Sequence, residues 1–110
     1  MRAEALPGAS PAEQYAMFIG SLALHLRLDT CHSLKEKRSI VKSVIARLRN
    51  EFNISAAEVA EQDRWQTAII GVACVSGDKH YAQQQLNAVI DWVYDNRPDV
   101  EIVQTDLEVL

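Results

Sequence analysis

The chain has 110 residues, 48% hydrophobic and 24% charged, with a formal net charge of −4 and a pI near 5.3. That length accommodates one domain and one core, and leaves no room for a second. The acidic balance excludes a nucleic-acid binder that uses its whole surface, but is compatible with a local basic face on an acidic body.

Residues 1–16 hold Pro7 and Pro11 with Gly8 and Ser10 between them, and predict a flexible leader. They carry Glu4 and Glu13 and have no apolar core, so they do not read as a signal peptide. The domain is expected over 17–110, with Met17 an alternative start. From Met17 to Leu28 the chain alternates. Phe18, Leu22, Leu24, Leu26 and Leu28 take one side, and Ile19, Ser21, Ala23, His25 and Arg27 the other. That period of two predicts a strand with one core face. Asp29 to His32 is a loop.

The helix that follows, Leu34 to Asn50, is the strongest local signal. Ser33 and Glu36 form a capping box: the hydroxyl accepts from the Glu36 N–H, and the carboxylate reaches back to the N–H of Ser33. Leu34, Val41, Val44, Ile45, Leu48 and Phe52 share one face at helical spacing. Beside them Lys35, Arg38, Lys42 and Arg49 fall within roughly 60° of one another on the helical wheel. The segment has a net charge of +5, so the remaining residues sum to −9. Lys37 falls inside the apolar arc, and both a snorkelling ammonium and one aimed into a pocket fit its position.

Ile54 to Glu61 is alanine-rich and partly polar, which predicts an edge strand. A turn at Gln62-Asp63 leads into a second strong strand, Arg64 to Val75. Ala68, Ile70, Val72 and Cys74 line one of its faces, and Trp65, Thr67, Ile69, Gly71 and Ala73 the other. Asp78 can cap a second helix over Lys79 to Asn96, whose inner stripe is Ala82, Leu86, Val89, Ile90 and Val93. Arg97-Pro98-Asp99 ends it, and Val100 to Val109 reads as a last strand.

The order is βαββαβ. Two right-handed β-α-β halves give an α+β fold, the ferredoxin-like split sandwich: four antiparallel strands with two helices on one face and the other face open. His32-Ser33-Leu34-Lys35-Glu36-Lys37-Arg38-Ser39 resembles the signature of the YlxP-like family of small bacterial proteins. Phe52 to Val59, Asp63 to Ala68, Gly71-Val72-Ala73 and Ser76-Gly77-Asp78 resemble further stretches of that family, in the same order. The likeness spans Met17 to about Val109. It implies a ferredoxin-like domain of unknown function with no established catalytic residues. Family genes often neighbour those of translation initiation and ribosome maturation, which implies a ribosomal or RNA-linked role by association.

The residues themselves offer little catalysis. Cys31 and Cys74 have no paired spacing, and are expected as free thiols in a reducing cytoplasm. Cys31-His32 lacks an orienting acid for nucleophilic chemistry. His25, His32 and His80 show no metal-ligand spacing, and the four glycines form no phosphate loop. No catalytic residue, metal, cofactor or small-molecule ligand is therefore expected, and the protein reads as a non-enzyme. No apolar run reaches membrane length, so no membrane contact is expected either.

Two partner readings remain open. In the first, Lys35, Lys37, Arg38, Lys42, Arg49 and His32 contact phosphate, with ribosomal RNA or the ribosome as partner and the helix N-terminus as a second anion site. In the second, Ile19, Ala23, Trp65 and Ile69 form a homodimer or protein interface on the open sheet face. That face lacks the aromatic pair of an RNA-recognition motif, so standard chemistry of that kind is rejected, although Trp65 alone could stack a base.

Overall fold

A computed structural model describes residues 14–110; residues 1–13 of the predicted leader lie outside the described residues. The alternation around Leu22–Leu28 places β1 (Phe18–Arg27) at the centre of the fold. It pairs antiparallel with β3 (Thr67–Ser76) on one side and β4 (Glu101–Val109) on the other. The short β2 (Ser55–Ala60) pairs antiparallel with β3, so the sheet order is β2-β3-β1-β4. The connections carry α1 (Leu34–Glu51) and α2 (Lys79–Asn96). The result is the expected α+β, ferredoxin-like βαββαβ sandwich.

Register explains why both helices lie on one side. Leu22 faces Val72, Leu24 faces Ile70 and Leu26 faces Ala68 across the β1–β3 ladder, and all six are buried. Directly paired residues point to the same face of a sheet. Against that face α2 buries Ala82, Leu86, Val89 and Val93, and α1 buries Val41, Val44 and Leu48. Helix α2 lies over β1, β3 and β4, and α1 over β2. Gly20 permits the close approach of α2: a Cβ there would lie 2.8 Å from Leu86 Cδ1 and 2.9 Å from Cys74 Sγ.

Three local irregularities interrupt the pattern. The strand expected from Arg64 starts only at Thr67, because Arg64 N–H bonds back to the Glu61 carbonyl at 3.1 Å and closes a turn. Glu61 enters that turn at φ 67°, in the left-handed region. In β4 the register slips between His25 and Leu26, leaving Val103 as an extra residue that is half exposed. A second slip between Glu58 and Ala60 does the same in β2.

Candidate functional site

The capping box forms with one change. Ser33 Oγ accepts from Glu36 N–H at 3.1 Å, but the Glu36 carboxylate accepts from the N–H of His32, not of Ser33. A carboxylate of the protein's own thus sits at the positive end of α1. The helix N-terminus expected as a second anion site is already served from within.

The basic residues of α1 divide by environment. Lys35, Arg38 and Lys42 are exposed, and none is in a salt bridge among the described residues. Arg49 donates from Nη2 to the Ala56 carbonyl at 2.6 Å. Because β2 is an edge strand, this bond also fixes the direction of the stripe: it runs along the β2 side of the molecule. Arg49 blunts that edge by occupying an acceptor that another strand would use. Arg47, off the stripe, places its guanidinium 5.2 Å from the ring centre of Trp92 on α2.

Lys37 does not belong with them. Its side chain is 0% exposed, with Nζ 2.7 Å from Glu58 Oε2 and donating to the Glu61 carbonyl. Glu58 Oε2 has no well-aligned hydrogen bond, so the attraction across this pair is mainly Coulombic. Lys37 therefore cannot reach a phosphate outside the protein. The expectation that it contacts nucleic acid is corrected: it fastens the start of α1 to the β2–β3 turn. Glu58 was findable, because it shares strand parity with buried Ala56 and so faces inward, towards a lysine in the apolar arc of the helix above.

The turn is fastened elsewhere too. Leu28 N–H donates to the Gln66 carbonyl at 2.8 Å, and Gln66 Nε2 donates to the Cys31 carbonyl at 3.2 Å. Between these ties Trp65 stands 44% exposed, its ring 6.4 Å from the exposed His32 imidazole at an interplanar angle of 66°. Strand parity predicts Trp65 on the open sheet face. The turn at Glu61–Arg64 delays β3, and Trp65 lies instead in a bend against the loop before α1. The tryptophan of one expected surface and the histidine of the other are therefore neighbours.

The remaining open-face residues lie where expected. Ile19, Ala23 and Ile69 point away from the helices, with the exposed Ala73 and Val75. A shallow groove of about 370 Å³ runs over Ser21, Ala23, Ala57, Val59, Gly71 and Ala73. On the β4 side the face turns acidic and polar: His25 Nε2 lies 2.8 Å from Asp106 Oδ2, and Arg27 pairs with Glu101 at 2.8 Å.

Both thiols are free and buried. Cys31 is fully buried, and burial, with Glu36 and Asp99 nearby, pushes its thiol above the ordinary range. Cys74 is buried under α2. His25, His32 and His80 lie on β1, on the loop before α1 and on α2 respectively. Among the described residues no cluster of three or more His, Cys, Asp or Glu is arranged to hold a metal. No helix among them is long and apolar enough to cross a membrane.

Fold and surface define a small ferredoxin-like α+β domain with a basic helix face, an aromatic corner and a sheet face that neither described helix covers. The chain belongs to the DUF503 family, proteins of unknown function, whose profile matches residues 19–107. It is 37% identical over 76 residues to "Uncharacterized protein YlxP" of Bacillus subtilis (strain 168), an overlap of 69% of this chain and 82% of that one.

Proposed function

We propose that this protein binds RNA, with ribosomal RNA as the partner, through the exposed face of α1. The observation that supports the reading is the trio Lys35, Arg38 and Lys42: three exposed cations on one side of one helix, in a −4 chain, with no carboxylate of the described residues paired to them. A helix rises about 1.5 Å per residue, so the three span about 10 Å along the axis, the length of a few phosphates. Arg49, exposed and tethered to β2, extends the same line. Phosphate contacts of this kind give affinity and position without sequence choice. Co-sedimentation with ribosomal particles at graded salt tests the reading. Wild type is expected to pellet at low salt, and Lys35→Glu/Arg38→Glu/Lys42→Glu to stay in the supernatant. Equal pelleting of the two proteins contradicts it.

A second reading is a homodimer through the open sheet. It is supported by the exposure there of Ile19 at 43% and Val75 at 67%, beside the small-residue groove. Light scattering of wild type and Ala73→Glu tests it: the reading requires a dimer that the carboxylate breaks, and a monomer in both removes it.

A further inference from the structure

An aromatic corner, Trp65 against His32, stands at the start of α1 beside the basic stripe. Trp65 keeps nearly half of its surface in water, although an indole gains more from burial than almost any other side chain. Its placement is not loose. The β2–β3 turn that carries it is tied to α1 by Lys37 through Glu58 and the Glu61 carbonyl, and to the β1–α1 loop by Leu28 N–H and Gln66 Nε2. The ring is held edge-on to His32, itself exposed and immediately ahead of the N-cap. Lys35 and Arg38 follow on the next turns of the helix, and neither is paired among the described residues. A tied-down, half-exposed tryptophan with a neighbouring imidazole thus stands at the N-terminal end of the helix that carries Lys35, Arg38 and Lys42.

We infer that the Trp65–His32 corner stacks an unpaired nucleobase, so that the RNA engaged by this protein is single-stranded at the α1 N-terminus, with its backbone running along Lys35, Arg38 and Lys42. The inference rests on the reading of α1 as an RNA-binding face and adds the strandedness and the end at which a base is held. Stacking on an aromatic ring needs a base whose face is free, which a duplex interior does not offer. Stacking also adds affinity independent of charge, which suits a basic face of few cations on an acidic domain.

The test uses full-length protein carrying Trp92→Phe, so that Trp65 is the single fluorophore of its kind. A short single-stranded oligoadenylate, the corresponding duplex and ribosomal RNA are titrated at low salt. The expected result is quenching of Trp65 by the single strand, weaker binding of the duplex, and an affinity loss of about tenfold or more in Trp65→Ala with much of it kept in Trp65→Phe. Circular dichroism checks that the variants fold. Unchanged affinity in Trp65→Ala, or ribosomal RNA binding with no quenching by the single strand, overturns the stacking platform while the basic face stands. Failure to bind any of the RNAs removes the reading of α1 itself, and the inference with it.

Discussion

Lys37 and Glu58 meet at 2.7 Å between α1 and the edge strand β2, the lysine with none of its side chain exposed. A buried charge without its partner is far more costly than a well-packed apolar pair in the same space. Glu58→Met alone is therefore expected to lose about 3–5 kcal/mol of stability. The double variant Lys37→Met/Glu58→Met is expected to regain most of it. Urea unfolding of the two variants and wild type checks this; equal losses in single and double variant contradict the pairing.

Gly20 sets how closely α2 approaches the sheet. An added Cβ would meet Leu86 and Cys74 at under 3 Å. Gly20→Ala is expected to lose about 1–3 kcal/mol by overpacking. Gly20→Ala/Leu86→Ala, which removes the facing side chain, is expected to lose less than the two single changes added together. Thermal and urea unfolding of this cycle measure the coupling.

Arg97 at the end of α2 holds Asp99 through two hydrogen bonds, at 2.9 and 2.6 Å, and donates to Ser43 Oγ on α1 at 2.8 Å. The Arg97 hydrogen bond holds the Asp99 carboxyl below its ordinary range, against an opposing effect of burial. A carboxyl with a lowered pKa in the folded state gives stability above its unfolded pKa, near pH 4, and loses it as pH falls through the folded value. Asp99→Asn should therefore reduce stability at neutral pH and show a shallower further loss on acidification below about pH 4 than wild type does. Unfolding midpoints across that range decide it; parallel pH profiles contradict it. Since Asp99 is partly exposed, solvent screening keeps the effect small.

Cys31 stands next to His32 in sequence, but its thiol is enclosed, and burial pushes it above its ordinary range. In the native protein at neutral pH it is expected to react with a disulfide reagent far more slowly than free cysteine, and at the ordinary rate once unfolded in urea. Reaction at the free-cysteine rate without urea would show the loop to be open.

Much of this architecture is legible in the residue pattern, for reasons that also mark where legibility ends. Period-two alternation around Leu22–Leu28 and helical spacing in Val41–Leu48 are consequences of one buried face each, so they fixed the element order and the side on which the core lies. The thin alternation of Ser55–Ala60 marked an edge, and β2 is an edge. Extending the parity of β3 back to Trp65 failed, because a single left-handed residue, Glu61, introduces a turn that periodicity does not register. The role of Lys37 was open on the helical wheel alone, since its answer lies in Glu58 and Glu61 on another element. Arg49 gave no signal of its tether, because its acceptor is a backbone carbonyl and carbonyls have no residue type.

On the proposed reading of α1, Lys35, Arg38 and Lys42 neutralise RNA phosphates. Such contacts have a signature in the salt dependence of affinity for ribosomal RNA, because each phosphate bound releases counterions. Between about 50 and 200 mM salt the logarithm of affinity should fall linearly with the logarithm of salt, with a slope near −2 for three contacts. Lys42→Gln alone should flatten that slope by roughly 0.7. A slope near zero, or one that Lys42→Gln leaves unaltered, would show that these cations do not meet phosphate.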